Sequence, residues 1–288
     1  MKKEKDTKLK KIFWKKELHL LPCYLGGSIW AFFTIFMIGW IVAASLSTTK
    51  EIFTGELLST GLHFENYTNA FFRNKALMNL LNSVIYTVPS CVLAILISAP
   101  AAYCLTRFKF RFSKIINQGV VTGLAIPGIM IVMPLFSIVS ALELGGTHCT
   151  LIFIYTATSI PYTTFFLMTF FSGISETYEE AAAIDGCGPI QCFWKIMFPL
   201  AQPAIITVTI FNFISRWNEY FMALIFANKA ELRPVGVGLY QTVTSMMQSG
   251  DWAGMFASVV IVFVPTVVIY LMLSNKIVSG VTDGGVKG

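Results

Sequence analysis

The chain has 288 residues, 55% of them apolar and 12% charged, and its mean hydropathy is +0.69. That balance lies far from an average soluble domain and puts the chain in the membrane class before any single residue is weighed. The net charge of +6 does not signal a nucleic-acid partner, because Lys2, Lys3, Lys5, Lys8, Lys10, Lys11, Lys15 and Lys16 all precede the first apolar run, where lysines fix orientation or touch anionic membrane lipid.

Six apolar runs approach the roughly 20 residues that a helix needs to cross a hydrocarbon layer of about 30 Å. In chain order they are about Leu25–Leu46, Leu80–Leu105, Gly119–Leu142, Leu151–Phe171, Ala201–Phe226 and Met255–Leu273. The first is long and lacks a small-residue cleavage site, so it is expected to be a retained span and not a signal peptide. The predicted organisation is a basic tail (1–20), a first span with an external segment (21–76), a core of the remaining five spans (77–276) and a short tail (277–288). The lysine tail, and Arg107, Lys109, Arg111 and Lys114 between spans two and three, put those loops and both termini in the cytoplasm by the positive-inside rule. The loop between spans three and four carries only Glu143.

The segment Thr48–Lys75 is then external. Phe53, Phe64, Tyr67, Phe71 and Phe72 stand there among polar residues, a composition that suits a short helical cap. Span two holds Pro89 and Pro100, and span three Pro127 and Pro134. A proline inside a helix removes a hydrogen bond and bends it. Such bends serve packing alone, or they line a path that opens and closes; the residues leave both open.

The polar stretch Ile174–Pro203 divides spans four and five and is cytoplasmic by parity. Glu176, Glu179, Glu180 and Asp185 face only Lys195. Thr177 with Glu180 fits a capping box, and Glu180-Ala-Ala-Ala-Ile is good helix material. Gly186 then suits a left-handed stop, and Pro189 can open a second helix. Ile190, Phe193, Trp194 and Met197 repeat as one apolar stripe. The expectation is a helix, a glycine turn and a second helix. Acidic charge on the side of the membrane that favours basic loops suits a surface for docking a partner.

This order resembles the EAA loop of the permeases of bacterial ABC importers, carried here by Glu180-Ala181-Ala182, Gly186 and Pro199. The longer form E-E-A-A-A-I-D-G, with P-x-Q-x-F and P-L, is most similar to the carbohydrate-uptake subfamily, and within it to the six-span permease of maltose-type importers. Asn82-Ser83-Val84 and Ala101-Ala102-Tyr103 share the likeness, which runs from about residue 64 to the C-terminus. It implies an all-α integral membrane protein with six transmembrane helices, the type I ABC importer permease fold, in the bacterial inner membrane. It implies three partners: a second permease subunit, a cytoplasmic ABC ATPase dimer that holds ATP and Mg, and an extracytoplasmic sugar-binding protein. The implied function is to move a sugar or oligosaccharide into the cytoplasm. ATPase coupling would fall on Glu179, Glu180, Ala181, Ala182, Asp185, Gly186 and Pro199.

Charge inside a span is confined to Arg216 and Glu219, and such groups must face protein or water. At i and i+3 they can pair on one helix face. With Asn212, Trp217 and Asn218 they either line the translocation path or lock span five to its neighbours. The external Arg233-Pro234-Val-Gly-Val-Gly238 is a turn signal, and its likeness to the family implies contact with the binding protein. The ending, with Gly284, Gly285, Lys287 and Gly288, resembles the family's C-terminus and implies contact with the ATPase.

No G-x-x-x-x-G-K-[ST] loop is present, so ATP hydrolysis is not expected on this chain. H-E-x-x-H and G-x-S-x-G are missing too, and the six cysteines show no metal spacing. No catalytic residue, metal or cofactor is therefore assigned to the chain. The alternative is an ion-gradient-driven secondary carrier acting alone. Such carriers usually show several intramembrane ionisable groups and internal repeats.

Overall fold

The computed structural model describes residues 2–72 and 75–285, with side chains described over 20–72, 75–268 and 270–271. Its regular structure among these residues is entirely helical. Helix α1 (Lys2–Ser45) runs without a break from the lysine segment into the first apolar run. From Leu20 to Gly39 its residues are exposed on every side, Ile29, Trp30, Phe32 and Ile35 among them, as a helix in lipid requires, and its last turn packs inward with Ala44 and Ser45 buried.

Short helices α2 (Thr49–Thr54) and α3 (Glu65–Phe72) form the expected cap. Its centre is the buried carboxylate of Glu51. It accepts from Thr48 N at 2.7 Å, Ser59 Oγ at 2.7 Å, Thr60 N at 2.6 Å and Thr60 Oγ1 at 2.8 Å. The Thr48 backbone N–H, then Ser59 and Thr60, hold this carboxyl well below the usual range.

The spine of the molecule is α4 (Ala76–Arg107) against α7 (His148–Gly173). Ser90, Ala94, Ser98, Ala99 and Ala102 are wholly buried on α4. Small residues of this kind let two backbones approach where lipid supplies no hydrophobic drive. Both helices pass their prolines (Pro89, Pro100 and Pro161) without ending.

The third expected span is not one helix. It divides into α5 (Ser113–Ala125), a 3₁₀ turn (Gly128–Ile131) and α6 (Val132–Ala141), bent by 107°. Pro127 holds Ile126 extended, at φ −77° and ψ 117°, since a residue before proline avoids the helical region. Pro134 sits in the first turn of α6, where a missing N–H leaves no bond unmade. Gly123 lets α5 rest on α7, where an added Cβ would stand 3.0 Å from Pro161.

The fifth expected span, Ala201–Phe226, is also broken. After α8 (Thr177–Ile184), α9 (Pro189–Cys192), a π-helical turn (Phe193–Met197) and α10 (Phe198–Leu200), the chain bends by 72° into α11 (Gln202–Trp217). Then α11 stops, and α12 (Phe221–Phe226) begins after a three-residue break. The chain closes with α13 (Val235–Ser249) and α14 (Trp252–Gly285). Helix α14 packs on α1, α3, α11 and α13, and it is the chief neighbour of α1.

By length and composition, three helices of the described residues can cross a membrane: Leu20–Ser45, Ala76–Arg107 and His148–Gly173. The two bent pairs raise the number to five, and Trp252–Val268 is apolar but shorter.

Candidate functional site

The stretch after α7 forms the expected helix, glycine turn and helix. At its entry the expected capping box is absent: Thr177 already lies inside α8, and its N–H is met by Ser175 Oγ at 3.3 Å. The exit follows glycine chemistry. Gly186 has φ +80°, Cys187 N donates to Ala182 O at 2.9 Å, and Gly186 N donates to Ala183 O at 3.0 Å. This pair of bonds is the Schellman stop.

The hairpin is built into the body of the protein on one side. Ala182, Cys192, Phe193, Met197 and Ala201 join Ala99, Ala102 and Tyr103 of α4 and Leu167 and Phe171 of α7 in one buried cluster. Tyr103 is its hub, with ring centroids 5.2 Å from Phe193 and 5.8 Å from Phe171. The apolar stripe expected at Ile190, Phe193, Trp194 and Met197 is split. Phe193 and Met197 are buried, whereas Ile190 is 78% exposed and Trp194 faces outward. A π turn over Phe193–Met197 interrupts the 3.6-residue period that such a stripe assumes.

The other side is open. Glu180, Ala181 and Asp185 are exposed, and Ile184 is 87% exposed. Pro199 is exposed as well, one turn from the bend. Glu179 points the other way. Arg107 Nε, at the end of α4, lies 2.8 Å from Glu179 Oε2, a close charge contact whose N–H is not aligned on the oxygen. Arg107 Nη2 donates to Ile174 O at 2.6 Å, and Nη1 lies 3.9 Å from Glu176 Oε1. In the sequence Arg107 presents itself only as a positive-inside charge, and nothing in its spacing shows that it reaches across 72 positions to Glu179.

The second group of expected residues lies on α11 and the break after it. Arg216 and Glu219 do not pair, because α11 ends at Trp217 and they no longer share a helix face. Tyr155 of α7 bridges them. Its hydroxyl donates to Glu219 Oε2 at 2.8 Å, and the Arg216 guanidinium lies 5.5 Å from its ring centroid. Glu219 also accepts from Met222 N at 2.7 Å and Ala223 N at 3.0 Å, which caps α12. Arg216 Nε donates to Ser159 Oγ at 3.1 Å, and Asn212 Nδ2 to Thr163 Oγ1 at 2.8 Å. Trp217 Nε1 donates to Thr266 Oγ1 at 3.0 Å. Asn218 turns back to Ile214 O at 2.9 Å. These bonds tie α11 to α7 and α14.

The loop before α13 is fixed to α4. Asn82 Nδ2 donates to Glu231 O at 2.7 Å and Arg233 O at 3.1 Å, and Tyr86 Oη donates to Leu232 O at 2.7 Å. Val235 N donates to Ser83 Oγ at 2.8 Å. At the other terminus, Gly284 and Gly285 are the last residues of α14. Lys287 and Gly288 lie outside the described residues.

Residues 94–278 match the family of the binding-protein-dependent transport system inner membrane component. The chain is 31% identical, over 89% of its length and 85% of the relative's, to the diacetylchitobiose uptake system permease protein NgcG of Streptomyces coelicolor. It is 33% identical, over 92% of its length and 93% of the relative's, to the sulfoquinovosyl glycerol transport system permease protein SmoH of Agrobacterium fabrum. Among solved structures, a bacterial ABC transporter involved in the import of the acidic polysaccharide alginate superposes with a TM-score of 0.78 at 23% identity, covering 90% of this chain and 96% of that one. That likeness bears on the fold.

Proposed function

The chain belongs to the family of binding-protein-dependent transport system inner membrane components, and from that premise we infer that it is the permease subunit of an ATP-driven importer of a sugar or oligosaccharide. Curated relatives that serve diacetylchitobiose and sulfoquinovosyl glycerol support the saccharide class. The observation that carries the reading is the two-sided hairpin. Its inner face is packed with α4 and α7, and its outer face presents Ile184 and Ile190 beside Glu180 and Asp185.

Six transmembrane helices with both termini in the cytoplasm follow if the bent pair α5 and α6 is one span, α11 with α12 another, and α14 the sixth. The hairpin then faces a separate ATPase dimer, which holds ATP and Mg. Exposed acids contribute up to about 1 kcal/mol each when paired, so the two isoleucines dominate docking, with Glu180 and Asp185 setting register. Ala181, Ala182 and Gly186 keep the hairpin slim, and Pro199 ends its second arm. A second permease subunit completes the path. The outer loop held by Asn82 and Tyr86 faces a sugar-binding protein outside the cell, and Gly284 and Gly285 at the end of α14 lie toward the ATPase. Asn212, Arg216, Trp217 and Glu219 fasten α11 and the break after it to α7, α12 and α14, whereas the exposed Asn218 bonds only its own helix and is free to line the translocation path.

The experiment is affinity purification of the tagged chain from native membranes in mild detergent, with identification of what comes with it. An ABC ATPase and a second multi-span protein are expected. Recovery of the chain alone across several detergents, together with uptake that follows an ion gradient, would replace this reading by a self-sufficient carrier.

A further inference from the structure

We propose, resting on the importer reading above, that Arg107 and Glu179 form a fixed joint between the ATPase-facing hairpin and span α4, which makes Arg107 a positioning residue for transport. The two neighbouring glutamates of the hairpin have opposite surroundings. Glu180 is exposed, and Glu179 is turned inward with its side chain 19% exposed against an Arg107 side chain that is 8% exposed. One carboxylate faces a partner; the other faces the chain's own span.

Arg107 is placed to tie three segments at once. It is the last residue of α4, it donates to the carbonyl that follows the end of α7, and it holds the first turn of α8 through Glu179. The planar guanidinium presents several donors in a fixed fork, which a lysine ammonium does not. One turn back, Tyr103 packs on Phe171 and Phe193, so charge and apolar contacts join the same elements. Separating α8 from α4 would leave a buried guanidinium without its carboxylate, an outcome far more costly than moving the two together. A push on α8 is therefore delivered to α4, and α4 in turn delivers it to α7.

Coupling of this kind is reciprocal. If the spans are moved through the joint, then the resting position of the spans also restrains the ATPase pair. Loosening the joint should release that restraint, so ATP hydrolysis would rise when no binding protein is present. A merely structural residue would lower assembly or melting and would not raise a rate.

The test uses the full complex in proteoliposomes, supplied with ATP and Mg and no binding protein. In Arg107→Lys and Glu179→Gln the basal rate is expected to rise on the order of tenfold, the change that a barrier lower by about 1.4 kcal/mol gives, with the amount of bound ATPase unchanged. The double variant Arg107→Glu with Glu179→Arg is expected to return toward the wild-type rate. Basal rates at or below wild type in both single variants, with ATPase still bound, would overturn the joint. Failure of the wild-type chain to retain any ATPase would overturn the importer reading instead.

Discussion

Replacing Gly186 isolates the backbone contribution to the hairpin. The glycine has φ +80° and no heavy atom within 4 Å of where a Cβ would stand. A side chain there meets no clash, so the whole effect comes from the left-handed conformation, which costs an ordinary L residue roughly 1–2 kcal/mol. Each 1.4 kcal/mol is about tenfold in an equilibrium constant. Gly186→Ala is thus expected to weaken ATPase docking by up to about fivefold and Gly186→Val by up to about thirtyfold. Asparagine tolerates this region, and Gly186→Asn should stay within about threefold of wild type. The assay is titration of purified ATPase onto the chain in lipid nanodiscs. An asparagine variant as damaged as valine would refute the backbone argument, and would mean that the partner surface requires a bare glycine.

Two further perturbations follow from the structure. An added Cβ at Gly238 would run into the side-chain amide of Asn79 on α4, so Gly238→Ala should destabilise the packing of α13 by about 1–3 kcal/mol; thermal unfolding in detergent should show the loss, and its recovery when Asn79→Ala is added. Glu51 is held below its usual value in the folded cap, so its contribution is present above the unfolded pKa and lost as pH falls through the folded one. Proteolysis of residues 46–65 should therefore be slow near neutrality and quicken as pH falls below about 4, and Glu51→Gln should be sensitive at every pH.

The hairpin at Ile174–Pro203 was legible because its signals are local: a glycine that must turn, a proline that can start a helix, and acids without counter-charges. The breaks at Pro127 and Asn218 were less so. An apolar run reports hydrophobicity, and it reads the same whether the helix is straight or bent by 107°. The π turn was invisible for a related reason, since Ile190 and Trp194 keep perfect helical spacing in a segment that is not regularly helical. The link between Arg107 and Glu179, and the clasp of Asn82 on the loop at Glu231 and Arg233, depend on elements far apart in the chain. One sequence carries no mark of such pairs.

The placement of α1 has a consequence for how the protein is made. Its chief neighbour is α14, so α1 leaves the ribosome well before the helix it packs against. Until then it must sit in the bilayer by itself, which its apolar surface on every side allows. The enclosed cluster of α4, α7 and the hairpin is complete once α11 has emerged, well before that final closure. Assembly from the middle of the chain outward is the expected order, and damage to α14 should then leave a finished centre with α1 undocked.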